Sequence, residues 1–246
     1  IGNGMSVVIF AGIVAGLPGE LVATYRLFKL GQVSIFALLF FAIFTLATIA
    51  FIVLLQQGAR KIPVQYATRV VGRQVFKGQS TQLPLKVDYS GVIAVIFASS
   101  ILVFPAQIAK YMEGVLQTAG KEDSWLFSAM DFVTRNFSPG AFTYYVLYSF
   151  LIVFFCYFYT AIAFNPSDLS ENMKKYAGFI PGIRPGPATA EFIDRTLTRI
   201  TIWGALAVCA IAVIPEGLTR RLGVSIYFGG TSLLIIVGVA LDTMKQ

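Results

Sequence analysis

Histidine is absent from this chain, and charged residues make up only 13% of it. Without an imidazole, the sequence offers no His-based acid–base catalysis, no His metal ligand and no Ser/His/Asp or Cys/His nucleophile. A glycine-rich phosphate loop with its lysine is missing as well. We therefore expect a protein that is not an enzyme, needs no cofactor and takes any energy it uses from a partner.

Cysteine is rare too, with two residues in the chain. Cys156 and Cys209 both lie inside apolar stretches, where cysteine usually serves as a small buried hydrophobic side chain. This placement favours a structural role for both residues over a disulfide or a metal-binding pair.

Apolar residues are abundant instead, since 57% of the 246 residues are hydrophobic and the mean hydropathy is +0.75. They form six uncharged segments, at residues 5–17, 33–55, 91–109, 141–164, 201–214 and 224–241. The three longest reach about 19 residues or more, the length that a helix needs to cross ~30 Å of hydrocarbon. The first and fifth are short and are expected to extend into flanking residues. The sequence thus predicts an all-α, polytopic membrane helix bundle with about six transmembrane helices.

The connections between these segments differ in length and charge. Those at 56–90 and 165–200 are long and basic, whereas 216–223 predicts a tight connection. Together with Lys245, the two long loops carry twelve basic residues, against seven on the other side. The positive-inside rule then places both loops and both ends of the chain in the cytoplasm. Two roles are open for such loops. They can serve simply as topology determinants or lipid contacts, or they can dock a large partner with an acidic or phosphate-bearing surface.

Both long loops contain signs of local structure. In the first, β-branched and aromatic residues at 62–75 and 82–87 predict a basic β-hairpin. In the second, residues 168–176 predict a short helical turn. The run PGIRPG at 181–186 predicts a rigid turn with Arg184 at its tip.

Charged residues are missing from the three longest apolar segments. Ion-coupled transporters and proton pumps usually carry them in mid-membrane, so chemistry inside the bilayer is not expected. The segments carry small and hydroxylated residues, namely Ser6, Gly12, Gly16, Ala98, Ser99, Ser100 and residues 229–232. These favour either close helix packing or a mildly polar passage that narrows at aliphatic side chains and excludes ions by dewetting. Phe41 is expected to face lipid rather than such a passage.

A set of sequence motifs runs along the chain. They are IGNG at 1–4, FAGIVAGLP at 10–18, QSTQLPLKV at 79–87, GVI at 91–93, FASSI at 97–101, NMKK at 172–175, FIPGIRPG at 179–186, YFGGTSLLI at 227–235 and DTMKQ at 242–246. Together they resemble the SecY family, the channel subunit of the bacterial protein translocon. The resemblance covers the whole chain and implies that residues 1–246 are a single transmembrane fragment, helices five to ten of a ten-helix pseudo-symmetric channel.

The resemblance also implies roles for individual residues. In the family, an aliphatic ring closes the waist of an hourglass pore, and the matching residues here are Ile9, Ile96 and Ile235. The lateral-gate helix would be residues 91–109, and its matching positions are Ile96, Ser99, Ser100 and Val103. Arg184 matches a loop-tip arginine that is important for motor-driven translocation. The docking residues implied for a motor or ribosome are Arg69, Arg73 and Arg184.

The function implied is a protein-conducting channel of the bacterial plasma membrane. It would pass unfolded secretory polypeptides outward and release hydrophobic segments sideways into the lipid bilayer. The implied partners are SecE-like and SecG-like small membrane subunits, and SecA or the ribosome on the cytoplasmic face. Because the chain opens without Met and inside an apolar stretch, we expect it to be a segment of a longer protein.

Some residues depart from the family pattern: Gln82, Ala94, Ser170 and Met173 stand where His, Pro, Ala and Leu are commoner. Ala94 puts the local bend of the gate helix in doubt. Two other classes of protein remain open. A secondary transporter would use helices broken at Pro18, Pro105 or residues 229–230 to frame a small-molecule site. A scaffold or insertase would pack other helices without an aqueous path.

Overall fold

A computed structural model describes residues 4–31, 33–66, 69–71, 74–76, 80–118, 125–222 and 229–244. Its helices are α1 (Gly4–Lys29), α2 (Ile35–Gln57), α3 (Gly91–Thr118), α4 (Trp125–Phe137), α5 (Phe142–Ala163), α6 (Pro166–Lys175), α7 (Pro187–Leu222) and α8 (Gly230–Met244). Its strands are β1 (Ala59–Tyr66), β2 (Arg69–Val71), β3 (Gln74–Phe76), β4 (Ser80–Lys86) and β5 (Gly178–Phe179). Within the described residues, strands occur only in the two long loops.

Five helices in the described part of the chain are long and apolar enough to cross a membrane, and α8 adds a shorter apolar helix. At 1.5 Å per residue, the 26 residues of α1 and the 28 residues of α3 extend about 39 and 42 Å. The helical membrane bundle expected from the six apolar segments is therefore confirmed. The first segment extends as expected, because α1 continues through Pro18 to Lys29.

The helix α7 is longer than the sequence predicted. Residues 165–200 were expected to be a loop, but α7 already begins at Pro187. Its first turns are amphipathic rather than uniformly apolar, because Ile193 and Leu197 are buried while the charged residues around them are exposed. A search for uncharged runs misses such a segment, so the predicted loop was too long.

The connection from α7 to α8 also differs from the prediction. Residues 216–223 were expected to form a tight connection, but α7 continues through Pro215 to Leu222. The helix α8 begins at Gly230, so the segment predicted at 224–241 is confirmed as a helix from that residue on. Residues 223–228 lie outside the described residues.

The helix α4 was not predicted. It contacts both α3 and α5, and none of its described side chains is buried. Trp125 and Phe132 are exposed, while the Arg135 guanidinium pairs with the Asp131 carboxylate at 2.7 Å. These charges interrupt the apolar run, so a search for uncharged segments does not detect α4. The helical spacing of the apolar residues in α4 is the signal that predicts this helix.

The first long loop forms the β-hairpin that the sequence predicted. β1 and β4 pair antiparallel, with Ala59 opposite Lys86 at one end, and β2 pairs with β3. β5 comes from the second long loop and adds to β1, with Gln65 opposite Phe179. The strand order is therefore β4-β1-β5. The two long loops form one structural unit, which the sequence did not predict.

Two hydrophobic cores hold these elements together. The first lies among the long helices, with Tyr148 and Ile152 near its centre, and includes the free Cys156, as expected for a structural cysteine. Lipid is as apolar as these side chains, so this core is stabilised mainly by close packing. The second core joins the hairpin, α6 and the start of α7 through residues that include Leu85 and Ile193. There, each fully buried aliphatic side chain contributes about 1.5–3 kcal/mol.

A close backbone contact fixes the start of α8 against α7. A Cβ atom at Gly230 would overlap the carbonyl oxygen of Ile211 and lie 2.9 Å from the Cα atom of Ala212. Pro215, four residues after Ile211, has no N–H to donate to that carbonyl, so α7 is open to a neighbouring backbone at this point. Only glycine fits this contact without displacing one of the helices.

We expect Gly230→Ala to destabilise the packing of α8 on α7 by about 1–3 kcal/mol, because the added methyl group overpacks the contact. The measurement is the melting temperature of the purified full-length protein in detergent. Gly114→Ala is the matched control, since a Cβ atom added there would have no neighbouring atom within 4 Å and alanine favours a helix. Equal melting temperatures for the two variants would contradict the packing argument.

Candidate channel wall, gate helix and docking face

The helices that carry the three predicted ring residues are connected through α8. This helix, which carries Ile235, contacts both α1, which carries Ile9, and α3, which carries Ile96. Ile9 and Ile96 each stand five residues after the start of their helix, about 7.5 Å along the axis. The structure thus brings the three helices together, with α8 between the other two.

Ile235 lies on a different face of α8 from the core residues. Leu233, Leu234 and Val237 point into the first core, where they are nearly or fully buried. Ile235 and Val239 are four residues apart and so share the opposite face, and both are buried without belonging to that core. The predicted ring residue therefore lies on a face of α8 that the first core does not occupy.

The predicted gate helix, α3, also divides into faces. Ala94, Ala98 and Leu102 recur at four-residue spacing and are buried in the first core. The four predicted gate residues fall on the other side of the helix: Ile96, Ser99, Ser100 and Val103. All four are half-buried or exposed. The structure thus brings the predicted gate residues onto one face that is not occupied by the core.

Two serine hydroxyls converge on the backbone of Ile96. Ser99 Oγ donates to the Ile96 carbonyl oxygen at 2.9 Å, and Ser100 Oγ donates to the same oxygen at 2.8 Å. Both hydroxyls therefore donate within the helix. Side-chain bonds of this kind bend helices, and Pro105 further along removes one helical hydrogen bond. The helix α3 therefore has two points at which it can bend.

Arg184 lies in the connection between β5 and α7, directly after a turn at residues 180–183. Its side chain is exposed, and the Ile183 amide donates to the Ile180 carbonyl at 3.1 Å to close that turn. Ile180 is buried in the second core, which anchors the turn to the hairpin and to α6. The exposed arginine therefore follows a turn with a fixed base.

The other docking candidates belong to the first long loop. Arg69 begins β2, and Arg73 lies outside the described residues. Basic residues with exposed side chains surround the turn and the paired strands: Arg60, Lys61, Lys86, Lys174, Lys175 and Arg184. Among the described residues of the two long loops, no acidic side chain forms an ion pair with any of these six. Their charge is available to an external partner.

A buried carboxylate lies between the hairpin and α3. The Ser90 hydroxyl and the Gly91 amide each donate to Asp88 Oδ1 at 2.8 Å, and Ser90 Oγ lies 3.4 Å from Cys156 Sγ on α5. Asp88 Oδ2 has no hydrogen-bond partner among the described residues. Burial raises the pKa of Asp88, although the hydrogen bonds from Ser90 and Gly91 and the charge of Lys86 act in the opposite direction. Asp88 thus stabilises the first turn of α3 at the cost of its own desolvation.

We expect Asp88→Asn to change how the stability of the protein depends on pH. An acid whose pKa is raised in the folded protein contributes stability below its unfolded pKa, about 3.9, and loses it as pH rises through the folded value. The melting temperature of the unmodified protein should therefore fall relative to that of Asp88→Asn as pH rises from about 4. The exposed Asp194→Asn variant controls for the loss of one negative charge. A difference between Asp88→Asn and the unmodified protein that is constant with pH would contradict this explanation.

Phe41 is not a lipid-facing residue, contrary to the expectation from sequence. Its side chain is 5% exposed and lies on the inner face of α2 with Thr48 and Ile52. The neighbouring Phe40 is 52% exposed. An uncharged helix that is apolar on every side gives no signal of which face turns inward, and this is why the sequence assigned the wrong phenylalanine.

The fold and this arrangement of residues define a class of protein: a multi-pass helical membrane protein with a folded basic unit between its membrane helices. The family model of SecY matches residues 1–244. The chain is 46% identical over 246 residues to the protein translocase subunit SecY of Escherichia coli K12, and 47% identical over 248 residues to that of Vibrio cholerae. The chain therefore belongs to the SecY family.

These matches cover the whole of this chain but 54% of each of the two relatives, so the chain spans about half their length. The same subunit of Helicobacter pylori is 40% identical, with 56% of its length covered. A solved structure from work on the plug domain of SecY and the closed state of its channel superposes on the whole chain, with a TM-score of 0.62 at 17% identity. A structure of a protein-conducting channel gives a TM-score of 0.55 at 17% identity. The two superpositions confirm the fold.

Proposed function

We propose that the protein containing this chain is a protein-conducting channel, and that this chain forms one side of the pore, the lateral-gate helix and the cytoplasmic docking face. The observation that carries the proposal is the SecY family match over residues 1–244, together with relatives described as protein translocase subunits. The family membership favours a polypeptide channel over a small-molecule transporter. That alternative was suggested by the helix breaks expected at Pro18, Pro105 or residues 229–230.

The position of Ile235 and Val239 outside the first core supports the proposed pore. A channel that passes many unrelated polypeptides needs a narrow point that is deformable and free of groups that would trap a chain. An aliphatic constriction meets this demand and also excludes ions by dewetting when no chain is present. Ile9, Ile96 and Ile235 would supply part of that ring, and the segment of the protein outside this chain would supply the rest.

The exposed basic residues support a docking role for the folded unit formed by the two long loops. None of these six basic side chains forms an ion pair with a described acidic residue. They can therefore attract a large partner with an acidic or phosphate-bearing surface. We propose SecA or the ribosome as that partner, with Arg184 and Arg69 in contact with it. Arg73 belongs to the same proposal, and SecE-like and SecG-like subunits would cover outer faces of the helices.

The proposed location follows from the distribution of charge. The two long loops are more basic than the other connections, so they would lie in the cytoplasm of a bacterial cell, with both ends of the chain on the same side. The five long helices and the shorter α8 would then cross the plasma membrane in alternating directions, and hydrophobic segments would leave the pore sideways at α3.

The direct test is transport by the full-length channel in vesicles that contain its small membrane subunits. With SecA and ATP, a purified unfolded secretory protein should become protected from added protease inside the vesicles. Vesicles with the channel but without ATP should give no protection. Protection that is equal in vesicles lacking the channel would overturn the proposal, whereas uptake of small molecules without polypeptide transport would restore the transporter alternative.

A further inference from the structure

Two buried hydroxyl groups hold the backbone on either side of Pro185. The Thr189 hydroxyl, on the first turns of α7, donates to the Arg184 carbonyl oxygen at 2.8 Å. The Ser170 hydroxyl, on α6, donates to the Gly186 carbonyl oxygen at 2.6 Å. Thr189 and Ser170 are only 1% and 3% exposed, so both bonds are shielded from water.

The bond from Ser170 is not required to satisfy the start of α7. The Gly186 carbonyl already accepts the amides of Thr189 at 2.9 Å and Ala190 at 3.2 Å. The additional bond therefore connects two elements, because it ties α6 to the turn that carries Arg184. Gly186 has φ near 111°, a conformation that other residues rarely adopt, so the chain turns sharply at the point where the hydroxyl holds it.

The bond from Thr189 acts on Arg184 itself. It fixes the carbonyl group of Arg184, whose side chain projects to the outside, and Pro185 restricts the backbone of Arg184, the residue before it. An arginine side chain loses about 2 kcal/mol of rotamer entropy when it is fixed, and a mobile backbone would add to that cost on docking. A backbone that is already ordered leaves only the side chain to be fixed by the partner.

We propose that Ser170 and Thr189 are positioning residues that hold Arg184 in the geometry in which it docks the cytoplasmic partner. This inference rests on the proposed docking function. It adds to that function two residues that touch neither the pore nor the partner and act through the backbone of the turn. Their loss weakens docking and leaves the transport step unchanged.

The test uses the full-length channel in vesicles, with SecA as the probe and its channel-stimulated ATPase activity as the readout. Thr189→Val keeps the shape of the side chain and removes the donor, and Ser170→Ala removes the other donor. Each should raise the SecA concentration for half-maximal stimulation by about threefold to tenfold, with an unchanged maximal rate. Thr189→Ser keeps the hydroxyl and should restore the original concentration dependence.

The same measurement in an Arg184→Ala background separates positioning from a general loss of structure. If the hydroxyls act through Arg184, adding Thr189→Val or Ser170→Ala should have no further effect there. If Thr189→Val or Ser170→Ala raises the SecA concentration for half-maximal stimulation by the same factor in both backgrounds, the inference is overturned. Thr198→Ala, which removes another hydroxyl bond on α7 at 2.9 Å, is the matched control and should leave the concentration dependence unchanged.

The failure of this inference is distinguishable from the failure of the proposed function. If Arg184→Ala alone leaves SecA stimulation unchanged, the docking role of Arg184 is wrong, and the positioning role is wrong with it. If Arg184→Ala weakens stimulation but Thr189→Val and Ser170→Ala do not, the docking role stands and only the positioning role is overturned. The melting temperature of each variant shows whether its fold is retained.

Discussion

Replacing both Ile96 and Ile235 with glycine is expected to make the resting channel leak ions, with a vesicle conductance raised by about tenfold or more. The two isoleucines lie on adjacent helices, on faces not occupied by the first core. Their removal would widen an aliphatic constriction and let water and ions fill it. The measurement is the decay of a potassium gradient across vesicles that carry the full-length channel, without SecA or substrate.

A matched double variant controls for the loss of two isoleucines from membrane helices. Ile43 on α2 and Ile202 on α7 are 60% and 45% exposed, away from the proposed constriction. Replacing both with glycine should leave the conductance at its original level. If this control leaks as much as the Ile96 and Ile235 variant, the leak reflects loosened helices, and the proposed ring is wrong.

Reversing the charge of Arg184 is expected to reduce SecA-driven transport by about tenfold or more, because a docked cation would become an anion facing an acidic surface. Arg184→Lys should recover only part of the activity, since an ammonium group cannot form the paired hydrogen bonds of a guanidinium group. Protease protection of a secretory protein inside vesicles measures both effects.

Arg135→Glu on α4 is the matched charge reversal at a distance from the docking face. It breaks the exposed ion pair with Asp131, which contributes less than about 1 kcal/mol to stability. Transport should be close to that of the unmodified channel. If Arg184→Glu and Arg135→Glu reduce transport equally, the effect comes from net charge, and Arg184 has no specific docking role.

The membrane helices could be predicted from the sequence because their signal is local. Uninterrupted runs such as residues 33–55 and 141–164 exceed the length of a membrane crossing, and the helices α2 and α5 appear there. The charged first half of α7 and the whole of α4 were not predicted, because amphipathic helices lack a long uncharged run. Their apolar residues recur at helical spacing, which a periodicity search can detect.

Contacts between distant parts of the chain could not be predicted. The pairing of β5 with β1 joins residues more than one hundred positions apart through only two residues of strand. A strand of that length has no pattern that distinguishes it from a turn. For the same reason, the hydroxyls of Ser170 and Thr189 could not be assigned, since their acceptors are set by the folded turn. The turn that precedes Arg184 was predictable, because Pro181 and Gly182 favour a turn locally.

The path of the polypeptide is the central claim, and site-specific crosslinking tests it most directly. Single cysteines at Ile9, Ile96 and Ile235 would be placed in a full-length channel without its native cysteines, and a secretory chain would be stalled during transport. Phe40, exposed on α2, is the control position in place of the buried Phe41. The proposal predicts adducts at the three isoleucines and none at Phe40. A stalled and protease-protected chain that leaves all three isoleucine positions unmodified would contradict the proposed pore and favour a scaffold without an aqueous path.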